Sequence, residues 1–320
     1  MPRARTIRLT ALLALLLVSL SLLAWKHHES SKPYNGFDVD GSLVPADEIL
    51  SGGPPRDGIP ALFDPEFVAA GEAGFLDDED RVLGVATGRQ ARAYPVRILN
   101  WHEVVNDILE DEPLLVTYCP LCGTGMVFKR PAGDAQGFGV SGLLYNSDML
   151  LYDRASESLW SQILGQAVSG PRRGEKLEPV AVDHTTWSEW RARHPYTLVL
   201  STDTGYRRDY ARSPYGGYAS SEKIWFPVAN RDKRYPSKAA VIGLVLDGEA
   251  RVWPFSELKG SRLPLREKLA GRDLRVHFDA DASRAWITDG EGNALAAITS
   301  YWFAWMAFYP ESSLYQAGQP

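Results

Sequence analysis

The chain has 320 residues and two cysteines, which stand three positions apart in Tyr118-Cys119-Pro120-Leu121-Cys122-Gly123. As a staple this pair would contribute little. Closing so short a loop is worth about 2 kcal/mol, against nearly 5 for a loop of about a hundred residues. Reactivity or ligation explains the spacing better. A thioredoxin-like site would place the first thiol at a helix N-terminus, where the dipole favours the thiolate. Here Gly123-Thr124-Gly125 follows, and then Met126-Val127-Phe128, which reads as a strand. Strand, Cys-Pro-x-Cys-Gly, strand is the pattern of a metal-binding knuckle, whose turn aims both sulfurs at one point.

One knuckle supplies two ligands, so others must come from elsewhere. His102 is the first candidate and His194 and Met126 are weaker ones. Two thiolates with an imidazole suit copper or zinc. A second polar set, Ser141, Tyr145, Asn146, Asp148, Asp153 and Arg154, together with His194, offers substrate-binding or supporting roles. Turn chemistry accounts for much of it, since Asn and Asp favour hairpin corners.

These residues need elements to hold them. Leu114 to Tyr118 reads as the strand before the knuckle. A helix capped by Asn100, with Glu103 completing a capping box, would carry Trp101, Val104, Val105, Ile108 and Leu109 as one buried stripe, with His102 at its edge. Phe138 to Tyr152 reads as a hairpin turning at Asn146-Ser147-Asp148. Trp160 to Ser169 reads as further short strands. Thr186 and Glu189 start a second capped helix that ends at His194-Pro195. The apolar run from Ile298 to Phe308 reads as a helix buried in the core.

The text also echoes itself. Val82-Leu83-Gly84-Val85 continuing into Ala91-Arg92-Ala93-Tyr94-Pro95 matches Val241-Ile242-Gly243-Leu244 continuing into Ala250-Arg251-Val252-Trp253-Pro254. Leu114 to Tyr118 likewise matches Leu274 to Phe278. This predicts two degenerate ββαβ units, at about 80–130 and 239–290. Cys119 and Cys122 fall opposite Asp279 and Ala282, so the second unit lacks the site.

At the N-terminus, Arg3, Arg5 and Arg8 precede an apolar run from Leu9 to Trp25, which predicts a signal anchor or signal peptide over residues 1–25. As a helix the run spans roughly 26 Å, against about 30 Å for a bilayer core. The basic flank stays in the cytoplasm, which places the rest outside. Residues 26–58 are turn-rich and read as a tether, and residues 59–320 as a single globular domain. Formal net charge is −6, and four of the 34 Lys and Arg precede residue 29, ahead of all 40 Asp and Glu. The exported part is therefore acidic, which argues against nucleic acid and leaves the N-terminal helix as the membrane contact.

The run from Tyr118 to Thr124, with Trp101-His102-Glu103 upstream and Ser141-Gly142-Leu143-Leu144-Tyr145-Asn146-Ser147-Asp148 downstream, resembles the domain of unknown function 3179 family of prokaryotes. The pattern continues through Ser158-Leu159-Trp160-Ser161-Gln162 and His194-Pro195 and covers roughly residues 59–315. The resemblance implies an exported protein of the cell envelope and brings no activity with it.

The sequence thus predicts an α+β chain, β-rich and mainly antiparallel, with Cys119, Cys122 and His102 as metal ligands. Two other readings stay open. One is a thiol–disulfide oxidoreductase using the same cysteines in an oxidising compartment. The other is a non-catalytic module whose 10 Trp and 14 Tyr bind a glycan or a partner protein.

Overall fold

The structure is a computed structural model that describes residues 33–131 and 134–318. The expected signal segment, 1–25, lies outside the described residues. Among the described residues no helix is long and apolar enough to cross a membrane.

Alternating and continuous apolar runs, broken by Gly, Asn and Asp turns, give short strands in five small sheets arranged like the blades of a propeller. The fold is β-rich and mainly antiparallel, as the sequence predicts, and only 13% helical. Parallel pairs occur where Leu198–Leu200 joins Ala91–Pro95, Ser313–Leu314 joins Glu249–Pro254, and Leu62–Phe63 joins Val104–Leu109.

The sheet that matters most for the cysteines runs Glu178–Val180, Thr124–Lys129, Glu112–Cys119, Val104–Leu109, Leu62–Phe63. Beside it lies the sheet Ile49–Ser51, Phe138–Tyr145, Asp148–Asp153, Leu159–Ser161, Gln166–Ser169. The Phe138–Asp153 hairpin turns at Asn146 and Ser147, both with positive φ, the geometry of a two-residue type I′ corner.

Two sheets share one plan. In the first, Val82 pairs with Pro95 and Leu83 with Tyr94; in the second, Val241 pairs with Pro254 and Ile242 with Trp253. Each hairpin leads to a short helix, Val96–His102 or Phe255–Lys259, and then to a three-stranded meander. Val105 pairs with Val116 as Leu265 pairs with Val276, and Cys119 with Thr124 as Asp279 with Arg284. A strand–helix segment then returns to each hairpin. Trp187 N–H donates to Asp80 O at 2.8 Å, and Trp302 N–H to Ala239 O at 2.8 Å. The indoles of Trp190 and Trp305 cover Gly84 and Gly243, where an added Cβ would lie 2.3 and 2.1 Å from ring carbons.

Two expectations are corrected here. The helix read from Asn100 onward is the helix Val96–His102, which starts behind Pro95 and stops at Glu103, whose φ is 59°. Val104–Leu109 is a strand that leaves Ile108 52% exposed, so each of the two segments of common plan has the order ββαβββ in place of the expected ββαβ. The predicted tether is packed from residue 33 onward. Phe37, Val39, Val44 and Ile49 bury against Leu143, Leu150 and Tyr152, and Ile49–Ser51 adds a strand to that sheet. Its many turns misled the reading, whereas its four well-spaced apolar side chains decide the outcome. The segment from Thr186 forms the expected capped helix, Trp187–Arg193, with Thr186 Oγ1 accepting from Glu189 N. Ile298–Phe308 is buried, as strand Ile298–Tyr301 followed by helix Trp302–Phe308.

Candidate metal centre

The strands Glu112–Cys119 and Thr124–Lys129 form the knuckle hairpin, closed by the Cys119↔Thr124 pair and by Cys122 N–H donating to Cys119 O at 3.2 Å. Gly123 takes φ +60°, with no room for a Cβ because the ring of Tyr301 lies 2.8 Å from that position. Tyr301 N–H donates to Cys122 O at 2.8 Å, which fixes the knuckle to the C-terminal strand. Both cysteines are free and buried. Their thiols face Ser147 O, at 3.9 Å from Cys119 and 3.4 Å from Cys122.

Asp148, at the corner of the neighbouring hairpin, completes the cluster. The two sulfurs and a carboxylate oxygen of Asp148 all lie within 4.8 Å of one another. Asp148 is 1% exposed. One of its oxygens accepts from Ile163 N at 3.1 Å, while Oδ1 is buried without a hydrogen-bond partner among the described residues. Burial pushes this carboxyl up to about 7 and raises both thiols above their usual range. Three ligand atoms of types that divalent metals accept thus share one buried point.

His102 does not join them, which corrects the expected ligand set. Its Nδ1 lies 2.8 Å from Pro60 O, an acceptor only, so Nδ1 carries the proton. Its Nε2 therefore accepts from Tyr210 Oη at 2.7 Å, and burial holds the ring below its usual pKa, in the neutral form. No lone pair is left for a metal. His194 caps the helix Trp187–Arg193 and packs tilted against Trp190, with ring centroids 4.1 Å apart. Met126 packs in the core beside the cysteines.

The rest of the second polar set divides. Asn146 braces the corner, donating to Ala307 O and accepting from Ala229 N. Ser141 Oγ accepts from Leu143 N and donates to Leu150 O, where the hairpin register shifts. Asp153 accepts from Trp160 Nε1 and from Ser156, Arg154 pairs with Asp57 at 2.8 Å, and Tyr145 packs edge-on to Phe308. These roles hold the hairpin in shape and lie outside the cysteine cluster.

Residues 201–239, without helix or strand, cover the region. So long an irregular segment in a compact domain is commonly a functional one. It seats Tyr210 on His102, Tyr215 on Glu103 and Phe226 O on Ser147 Oγ. The ammonium of Lys238 pins it, donating to Tyr218 O, Ser221 O and Lys223 O and lying 3.4 Å over the Tyr218 ring. Sequence reasoning missed Glu103 as a site residue by treating it as a helix cap. It is 6% exposed, accepts from Tyr215 Oη at 2.7 Å, and is pushed by burial up to about 7. Its main chain accepts from Tyr118 N, next to Cys119.

The model of the family described as "Protein of unknown function (DUF3179)" matches residues 56–312, more than half of the chain. The chain belongs to that family. Comparison with curated proteins and with solved structures finds no match. For this DUF3179 member, the chemistry therefore rests on the geometry of Cys119, Cys122 and Asp148.

Proposed function

We propose that this chain is a metal-binding protein of the cell envelope whose ion is held by Cys119, Cys122 and Asp148. The convergence of two thiols and one carboxylate oxygen within 4.8 Å, all buried, carries the reading. The Asp148 carboxyl supports it, because its polar neighbours beyond the main chain are the two thiols themselves. An oxygen beside two sulfurs suits zinc better than copper(I), which prefers soft ligands throughout. Three protein ligands leave a fourth position, the arrangement of transfer or catalytic sites rather than closed structural ones. The N-terminal sequence, with its basic flank and apolar run, supports placement outside the cytoplasm with the membrane touched through that segment, and the acidic remainder speaks against nucleic-acid partners.

The two sheets of common plan are read as degenerate copies. In the second, the knuckle positions are Asp279 and Ala282, so the fold tolerates loss of the cysteines there.

The deciding experiment is elemental analysis of the protein purified from its own compartment, paired with alkylation. Bound metal should shield both thiols until a chelator is added. A thiol–disulfide oxidoreductase is the second reading, favoured by the nearness of the two free sulfurs and the adjacent carboxyl, which could take a proton. It predicts a reversible two-electron couple without metal. Burial of both sulfurs beneath residues 201–239 weighs against it.

A further inference from the structure

A cavity of about 390 Å³ is lined in part by Leu121 and Met149, which pack in one core with Cys119 and Cys122. Its walls are largely apolar, with the rings of Tyr215, Trp225 and Phe226 contributed by the covering segment. Tyr215 and Trp225 stack with centroids 6.2 Å apart. The main acidic group on the wall is Glu103, more than nine-tenths buried. One carboxylate oxygen takes the Tyr215 hydroxyl; the other has no hydrogen-bond partner among the described residues.

A buried carboxylate with an open oxygen, set among aromatic faces, asks for a positive group. Aromatic faces attract cations through the ring quadrupole, by about 0.5–1 kcal/mol when exposed and about 2 or more when desolvated, and alkylammonium groups are held this way. A methylated ammonium also hides its charge behind apolar methyls, so it enters such walls at lower desolvation cost than a bare ion. The volume falls within the usual range for small-molecule sites. Arg208, exposed at the mouth and 5.7 Å from the Trp101 ring, is the opposing charge. It disfavours a second positive group there and admits a neutral or anionic tail.

We propose that this cavity binds a small organic ammonium ion, with its charged head against Glu103 and its alkyl groups against Tyr215, Trp225 and Phe226. The site is independent of the metal reading, since neither cysteine nor Asp148 lines the cavity.

Titration of the full chain at about pH 8, where Glu103 with its pKa of about 7 is ionised, with choline and with its uncharged isostere 3,3-dimethylbutan-1-ol, followed by calorimetry and tryptophan fluorescence, tests this. Choline should bind saturably and at least about tenfold more tightly than the alcohol, as a desolvated cation–aromatic contact requires. Glu103→Gln should remove that preference and leave alcohol binding unchanged. If Glu103→Gln does not fold, Trp225→Ala replaces it, since Trp225 is 45% exposed and its loss spares the core; it should weaken choline more than the alcohol. Equal affinity for the two probes would overturn the proposal in favour of a neutral apolar ligand, and no saturable choline binding by folded protein would overturn it outright. Metal content and thiol count measured on the same samples keep this result apart from the metal question.

Discussion

Asp148 stands within 4.8 Å of the Cys122 sulfur, although Asp148 opens a strand of one sheet and Cys122 lies in the turn that joins two strands of another. The contact exists because Ser147 and Asp148 form the corner of one hairpin and the knuckle forms the corner of another, and the two corners meet. Asp148→Asn keeps the shape and removes the charge. Retention of zinc, measured by competition with a chromophoric chelator, should fall by at least about tenfold, the lower end of what loss of a mere outer partner costs. Unchanged retention would remove Asp148 from the ligand set.

Cys119→Ser and Cys122→Ser should each abolish retention, because a hydroxyl is a poor soft-metal ligand. His102→Ala should not alter metal stoichiometry, since both ring nitrogens serve Pro60 and Tyr210. It should instead lower stability by about 1–3 kcal/mol by leaving buried partners unmatched. A loss of metal with an unchanged melting temperature would reverse these roles.

The knuckle was legible in the sequence because everything that makes it is local: two apolar strands, Cys-Pro-Leu-Cys and a glycine. Asp148 was visible only as a turn residue, since its approach to the sulfurs depends on how two sheets pack. Trp101, Val104, Val105, Ile108 and Leu109 fit a helical stripe, and Val-Val-Asn-Asp-Ile-Leu at 104–109 does not alternate, so periodicity alone does not reveal the strand that pairs with Glu112–Cys119. Glu103, with its left-handed backbone, marks the break between helix and strand. Pro95 was the true start signal and Asn100 a distraction. The packed stretch at 33–58 shows the opposite failure, in which turn composition concealed Phe37, Val39, Val44 and Ile49.

Glu103 should write a slope into the pH dependence of stability. Its folded pKa is raised to about 7 by burial, from an ordinary 4.5. The neutral form is therefore favoured on folding. The related stability is fully present below about 4.5 and is lost as pH rises towards 7, amounting to about 3 kcal/mol. Glu103→Gln stays neutral, so urea unfolding at pH 5 and pH 8 should show a smaller decline than in the parent. Parallel declines in the two proteins would mean that Glu103 is ionised in the fold at little cost.

The two glycines beneath tryptophan test the common plan of the two hairpin sheets. Gly84 lies under Trp190, whose Nε1 donates to Thr197 Oγ1 at 3.0 Å; Gly243 lies under Trp305, whose Nε1 donates to Ser312 Oγ at 2.9 Å. A Cβ at either place would sit 2.3 or 2.1 Å from ring carbons, so the indole must move. That movement breaks a buried hydrogen bond as well as the packing. Gly84→Ala and Gly243→Ala should each destabilise by at least the roughly 1–3 kcal/mol typical of overpacking. Gly88→Ala is the control, because nothing lies within 4 Å of its Cβ position, and it should be close to neutral. If the two sheets are copies of one unit, the two buried variants should be affected alike in thermal melts. Both variants should also weaken metal retention, because both sheets pack against the knuckle hairpin: Leu83 lies 2.3 Å from the Cβ position of Gly125, and Tyr301, in the sheet of Gly243, donates its N–H to Cys122 O. A stability loss in one sheet with none in the other would show that the shared register does not carry a shared packing plan.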